Sequence, residues 1–155
     1  GKRPNKLVKS SLKNFSHRFF KIYDFLYFFG TVTVLFHKII IGDIMKIIVG
    51  NMTHKLREFI KKYHFTSKII VINKMCNVKT IKGEVDIIIP FAKIEPNGLI
   101  TNTQVHFEEL LMSVNVKSIK YGNPHAKSSF EEIAHRYGII ANYLDLNNIE
   151  PNTAI

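Results

Sequence analysis

The sequence predicts an α/β fold, a three-layer Rossmann-like domain with a mainly parallel sheet. Two observations point to this class. From Met45 onward, short apolar runs alternate with segments in which apolar residues recur three and four positions apart, the spacing of one buried face of a helix. The apolar runs are nearly uninterrupted, as is typical of parallel strands that are covered on both faces. Alternating strands and helices require crossover connections, and these connections place successive strands parallel.

Five strands are predicted from the runs of apolar residues. They cover residues 47–49, 69–72, 85–90, 116–121 and 139–144. The third strand ends at Pro90, which has no N–H to donate to a neighbouring strand. The polar segment before it, residues 73–83, is expected to be exposed. Pro96, Asn97 and Gly98 predict a tight turn, because Asn and Gly tolerate the positive φ that such turns need.

Three helices are predicted from apolar stripes. The stripes are Leu56, Phe59, Ile60 and Tyr63, then Phe107, Leu110, Leu111 and Val114, then Phe130, Ile133, Ala134 and Tyr137. Ser129 and Glu132 have the spacing of a capping box, which predicts that the third helix begins at Ser129. Gly138 is expected to end that helix. The spacing of Ala134 and Gly138 also fits the turn of a helix-turn-helix, but the isoleucine pair after Gly138 favours a strand.

Residues 1–44 differ in character from the rest of the chain. An acid-free basic stretch, residues 2–21, precedes an uncharged and aromatic-rich run, residues 25–36. This run is shorter than the roughly 20 residues that a membrane-spanning helix needs. The sequence Met-Lys-Ile-Ile-Val-Gly from Met45 is typical of the start of a cytoplasmic α/β protein. We therefore expect a leader, residues 1–44, that is either translated from upstream of a native start at Met45 or acts as an anchor, and a Rossmann-like domain, residues 45–155.

The composition argues against several kinds of site. The single cysteine, Cys76, allows neither an internal disulfide nor a Cys-based zinc site, and the seven histidines lack the spacing of metal ligands. No G-x-G-x-x-G follows a predicted strand, so no cofactor-binding turn for a dinucleotide is expected within this chain. A Walker loop and a G-x-S-x-G elbow are also missing from the sequence. No residue is assigned a catalytic role, and no metal is expected.

The net charge of +10 is common among nucleic-acid-binding proteins, but its distribution weakens this interpretation. A phosphate-binding surface needs Lys and Arg clustered on one face. Here the acid-free cluster is confined to residues 2–21, and the last third of the chain carries a net negative charge. A small basic nucleic-acid-associated protein stays open as an alternative, as does an α/β domain anchored to a membrane by residues 19–41. Neither a nucleic acid nor a membrane is the main partner that we expect.

Three loops are expected to form a ligand crevice, because ligands of open α/β sheets bind beyond the carboxyl ends of the strands. The loops are Gly50-Asn51-Met52-Thr53, Pro90-Phe91-Ala92-Lys93 and Gly122-Asn123-Pro124-His125. Backbone N–H groups there would hold a carboxylate or a phosphate, with Thr53, Lys93 and His125 as polar contributors. In the simpler alternative, Thr53 caps a helix, Lys93 is solvated and His125 lies in a turn.

Three stretches share the pattern of a known family. Residues 45–50 read Met-Lys-Ile-Ile-Val-Gly, residues 86–90 read Asp-Ile-Ile-Ile-Pro before Asn-Gly-Leu-Ile at 97–100, and residues 143–155 run from Tyr-Leu-Asp-Leu to Asn-Thr-Ala-Ile. In these stretches the chain resembles the N-terminal domain of dipicolinate synthase, a sporulation enzyme of endospore-forming bacteria, in the one of its two subunits that binds the nicotinamide cofactor. The family usually has Gly-Gly-Asp after the first strand, where this chain has Gly50, Asn51 and Met52.

The resemblance implies the substrate-side half of an oxidoreductase that forms dipicolinate with a nicotinamide cofactor. NAD(P) would bind in a further domain beyond this chain, so the chain alone would be inactive and its last domain truncated. The implied partners are the second dipicolinate synthase subunit, which is flavoprotein-like, and a small dicarboxylate substrate. The implied location is the cytoplasm. By their place in the family pattern, Asn152 and Thr153 would approach the substrate, while Pro90 and Gly98 would shape the loop that passes over it.

Overall fold

The computed structural model describes the backbone of residues 24–28 and 32–36, and residues 44–63, 65, 68–76, 78–149 and 155. The strands are β1 (Asp24–Phe28), β2 (Val32–Phe36), β3 (Met45–Val49), β4 (Ile69–Ile72), β5 (Glu84–Ile89), β6 (Asn115–Tyr121) and β7 (Ala141–Tyr143). The helices are α1 (His54–Lys62), α2 (Phe107–Ser113) and α3 (Lys127–Arg136), with short 3-10 helices at Val78–Thr80 and Pro124–Ala126.

One sheet contains all seven described strands, in the order β1-β2-β4-β3-β5-β6-β7. From β4 to β7 every neighbouring pair is parallel. The strands β1 and β2 pair with each other and extend the sheet antiparallel beside β4. This architecture confirms the predicted α/β class, a three-layer Rossmann-like domain with a mainly parallel sheet.

The helices cover the two faces of the sheet separately. Side chains of successive strand residues point to opposite faces, and the buried residues accordingly form two clusters. One cluster joins Ile47 and Ile87 to α2 and α3. The other joins Ile48 and Ile88 to α1. The buried stripe of α1, with Leu56, Phe59 and Ile60, is the one that the sequence predicts.

The predicted start of the third helix is wrong. The helix α3 begins at Lys127, so Ser129 lies inside its first turn and no side chain caps it. A 3-10 helix runs directly into α3, and its own start is fixed by Asn123, whose side chain accepts a hydrogen bond from His125 N. Proline at the first position of this turn, Pro124, has a φ that suits a helix start. The capping-box pattern at Ser129 therefore has no backbone end to cap.

The last strand is shorter than predicted. Gly138 ends α3 with a φ of +72°, and the N–H of Ile139 donates to the carbonyl of Ala134 at 2.9 Å, as in a Schellman helix end. This bond leaves Ile139 outside the ladder with β6, and Ile140 is 72% exposed. The residues that follow form β7, so the strand interpretation is correct and the helix-turn-helix alternative is wrong.

Two further regions differ in detail from the predictions. The sequence predicts that the segment 73–83 is exposed, but Val78 in its 3-10 helix is fully buried, because its side chain completes the cluster under α2. Within the predicted leader, the backbone of β1 and β2 joins the main sheet. The origin of residues 1–44 stays a prediction. Among the described residues, no helix is long and apolar enough to cross a membrane.

Candidate functional site

A cavity of about 370 Å³ opens at the carboxyl ends of β3, β5 and β6. Each of the three loops predicted to form the crevice contributes to its wall. Thr101 and Asn102, farther along the segment between β5 and α2, also line the cavity. We call this cavity the crevice. Its position follows the general rule for parallel sheets, in which loops beyond the carboxyl strand ends are free to diverge and enclose a ligand.

The first wall is the start of α1. The hydroxyl of Thr53 accepts a hydrogen bond from Leu56 N at 3.2 Å, so Thr53 is the N-cap of the helix. Beside it, Asn51 accepts a hydrogen bond from the Asn73 side-chain amide at 3.0 Å, which ties the loop after β3 to the end of β4. No acidic residue occupies the first turn of α1. The partial positive charge of the helix start is therefore not neutralised from within the helix.

The second wall depends on a close approach between the ends of β5 and β6. A Cβ at Gly122 would lie 2.2 Å from the carbonyl oxygen of Pro90, so only glycine fits there without a backbone shift. The next residue, Asn123, donates its side-chain amide to the carbonyl of Phe91 at 3.2 Å. Together these contacts hold the loops after β5 and β6 against each other and so fix the second wall of the crevice.

The third wall is the segment between β5 and α2, which folds back on itself. The hydroxyl of Thr101 donates to the carbonyl of Lys93 at 2.7 Å, and Thr101 N donates to the same carbonyl at 2.8 Å. Asn102 follows with a φ of +62°, a left-handed conformation that Asn adopts more readily than most residues. This turn brings Asn102 to the wall of the crevice.

The charge of the crevice is positive. Its wall contains two lysines, Lys55 and Lys93, and no Asp or Glu. Among the described residues, no carboxylate lies within ion-pair distance of either ammonium group. The Lys55 ammonium lies 4.5 Å from the centre of the Phe91 ring, a cation–π contact that holds it at the rim. Two lysines, side-chain amides and an unneutralised helix start are suited to a small anion such as a carboxylate or phosphate.

The structure brings two of the three polar residues predicted for the crevice to its wall. Thr53 and Lys93 line the crevice, whereas His125 is exposed in a 3-10 helix and is not part of the wall. Thr53 also fills the capping role of the simpler alternative. Pro90 is buried at the end of β5, behind the wall. Asn152 and Thr153 lie outside the described residues.

Gly98 belongs to the turn that the sequence predicts, away from the crevice wall. It has a φ of +90° and lies against the ring of His106, where a Cβ would come within 2.3 Å of Nε2. The His106 ring in turn accepts a hydrogen bond from Glu109 N at the start of α2. The structure thus shows Gly98 packing this segment onto α2, and its role in substrate binding stays a prediction.

Sequence analysis missed three polar side chains of the wall, Lys55, Thr101 and Asn102. Lys55 lies two residues after the predicted cap Thr53, so a helix start at Thr53 would have been a usable signal for it. Asn102 carried no such signal, because it reaches the wall only through the fold-back of its segment onto Lys93.

A second polar cluster spans β3, β5 and β6 on the α1 face. The Lys46 ammonium lies 3.1 Å from an Asp86 carboxylate oxygen, and the Ser118 hydroxyl donates to the other oxygen at 2.7 Å. Burial raises the pKa of Asp86, but the Ser118 hydrogen bond and the Lys46 ammonium outweigh it and hold that pKa below its usual range. We call these three residues the strand triad. It satisfies its own charges, and in the described part of the chain no group of His, Cys, Asp or Glu is arranged to hold a metal ion.

Comparisons of the chain with family models, with curated proteins and with solved structures find no match.

Proposed function

We propose that this chain is the substrate-side domain of an oxidoreductase of the dipicolinate-synthase type, and that its crevice binds a small dicarboxylate. The observation that carries the proposal is the wall of the crevice, which has two lysines and no carboxylate. A dicarboxylate needs two cationic contacts separated by a small gap. Lys55 on α1 and Lys93 after β5 approach the cavity from different elements and can each meet one carboxylate.

The nicotinamide cofactor belongs to a further domain in this proposal. A dinucleotide needs a glycine-rich turn, so that the backbone can approach the pyrophosphate closely. The loop after β3 has a single glycine, Gly50, followed by Asn51 and Met52. These residues do not fit the cofactor, so no hydride-transfer step is assigned to them. Substrate-binding roles for Pro90, Gly98, Asn152 and Thr153 remain parts of the proposal, as do a cytoplasmic location and pairing with the second dipicolinate synthase subunit.

Titration of the purified chain with dipicolinate, followed by NMR chemical shifts, tests the binding proposal. We expect shifts at the loops after β3, β5 and β6, and weaker binding of the monocarboxylate pyridine-2-carboxylate. The change Lys93→Gln should weaken dipicolinate binding by about tenfold, the equivalent of one charged contact. Lys117→Gln, at an exposed position of β6, removes the same charge away from the crevice and should have no such effect.

Equal binding of dipicolinate and pyridine-2-carboxylate would contradict the dicarboxylate proposal. An equal loss of dipicolinate binding in Lys93→Gln and Lys117→Gln would contradict it as well. The oxidoreductase proposal has a separate test, the coding sequence beyond Ile155. We expect it to continue into Pro-Thr-x-Glu-Gly and then into a domain with G-x-G-x-x-G. A stop codon directly after Ile155 would remove the cofactor domain and with it the enzyme, and nucleic-acid binding would become the function to test.

A further inference from the structure

A second cavity, of about 450 Å³, lies beside the crevice along α1. It runs between the helix and Leu146, which follows β7, and we call it the α1 groove. The crevice and the α1 groove share two wall residues, Lys55 and Phe91. The Lys55–Phe91 contact therefore stands between two neighbouring cavities, each of a size typical of small-molecule sites.

Positive charge is concentrated in the α1 groove. Lys55, Lys61 and Lys62 line it together with one acid, Glu58. The Glu58 carboxylate lies 3.8 Å from His54 on the exposed side of the helix. Among the described residues, no carboxylate comes within 4.0 Å of the three ammonium groups. Three cations around one concave surface repel each other, and a bound anion would relieve that repulsion.

Aromatic rings form the apolar part of the groove. Phe59 and Tyr63 are buried, and the Tyr63 hydroxyl donates to the carbonyl of Leu146 at 3.2 Å, which fixes that side of the groove. The Phe91 ring meets Phe59 edge-on, with 6.1 Å between ring centres. Phe91 is only partly buried, and the Lys55 ammonium lies over its ring, so a planar ligand would use the part of the ring that this ammonium leaves exposed.

We propose that the α1 groove binds a nucleotide, with its phosphates on Lys61 and Lys62 and its base against Phe91. A simple anion such as phosphate would use the lysines alone and make no contact with the exposed part of the Phe91 ring. A nucleotide combines several negative charges with a planar ring and satisfies both features of the groove. The proposal uses different residues from the dicarboxylate site, apart from Lys55 and Phe91, and it does not depend on the dicarboxylate being the ligand of the crevice.

The test is a titration of the complete chain with adenosine 5′-diphosphate, in three versions of the protein. Lys61→Gln/Lys62→Gln removes two charges from the groove and should weaken binding by about tenfold. Lys79→Gln/Lys82→Gln removes two charges from exposed positions before β5 and should change it by less than about twofold. Glutamine keeps a good helix propensity, and equal thermal unfolding of the three proteins will show that the fold is retained.

A third variant, Phe91→Leu, separates the ring from the charges. It should weaken binding of adenosine 5′-diphosphate more than binding of inorganic pyrophosphate, because pyrophosphate loses only the cation–π contact that holds Lys55. Equal losses in the two double variants would show a general attraction to a basic chain and would overturn the proposal, as would undetectable binding to the unmodified chain. Binding to single-stranded oligonucleotides that grows with their length and exceeds that of the nucleotide would also overturn it, in favour of a nucleic-acid surface.

Titration of the same samples with dipicolinate keeps the two proposals apart. Dipicolinate binding that survives Lys61→Gln/Lys62→Gln supports a separate crevice site. If dipicolinate does not bind but the nucleotide does, the dicarboxylate proposal fails and the α1 groove stands. If only dipicolinate binds, the α1 groove proposal fails.

Discussion

The two faces of the sheet differ in the side chains that they present to the helices. Among the described residues, the buried side chains that the strands present to α2 and α3 are apolar apart from one tyrosine, Tyr121. On the α1 face three neighbouring strands carry Lys46, Asp86 and Ser118 side by side. Apolar residues, Ile48 and Ile88, follow two positions later on this face and pack against α1.

This difference shows that the two faces of one sheet can be covered by different numbers of helices while the buried charges of the sheet remain paired. Two helices exclude water from the first face, so any unpaired polar group there would be costly. On the α1 face the two buried charges, Lys46 and Asp86, are paired across neighbouring strands, since Lys46 is in register with Asp86 and Asp86 with Ser118. The first face is stabilised by packing, whereas the second also depends on three polar groups that satisfy one another. Each face should respond to a different kind of substitution.

The largest effect is expected on the apolar face, from Phe130→Ala. The Phe130 ring is fully buried, stacks on Tyr121 with 5.3 Å between ring centres and meets Phe107 edge-on at 5.1 Å. Removing the ring leaves a cavity between α2 and α3, which should lower the free energy of unfolding by about 4 kcal/mol. Urea denaturation measures the change. A loss below about 1 kcal/mol would mean that this face is not the tightly packed one.

The next effect is expected on the α1 face, from Asp86→Leu. This change leaves the ammonium of Lys46 buried without its partner, and should cost about 3 kcal/mol in urea denaturation. The matched double variant Lys46→Met/Asp86→Leu removes both charges. Its free energy of unfolding should lie within about 1 kcal/mol of that of the unmodified chain, because apolar groups can replace a buried ion pair without loss of stability. A double variant as unstable as the single would show that the strand triad does more than satisfy its own charges.

A pH titration of stability sharpens the same comparison with a smaller effect. Because the pKa of Asp86 is lowered in the folded state, the folded state favours the ionised carboxylate. This contribution to stability is complete above the unfolded-state pKa of roughly 3.9 and is lost as the pH falls through the lower folded-state pKa. Urea denaturation at about pH 6 and at about pH 3 should show this loss. The double variant lacks the carboxylate, so it should lose less stability over the same range.

Most of the sheet and its helices could be predicted, because their signals are local. The stripe of α1 and the apolar run of β5 each occupy a short window of sequence. The strand triad could not be predicted in the same way, since it requires the register of three strands that are distant in sequence. The crevice was predictable in position from strand direction alone. The residues of its wall were not predictable. Asn102 lies there because its segment folds back onto Lys93, and Lys55 lies there because α1 begins directly after Thr53.

The smallest effect is expected from substitutions at the starts of α1 and α3, which lie on opposite faces of the sheet. The α1 helix has a side-chain cap, Thr53, whereas Ser129 lies inside α3 and caps nothing. Thr53→Ala should therefore lower the free energy of unfolding by about 1 kcal/mol. Ser129→Ala should leave it unchanged or raise it by about 0.5 kcal/mol, because Ala is the better helix former. Urea denaturation of both variants checks the pair. If Ser129→Ala destabilised the protein as much as Thr53→Ala, Ser129 would be acting as a helix cap. The helix α3 would then begin at Ser129 in solution, as the capping-box pattern predicts.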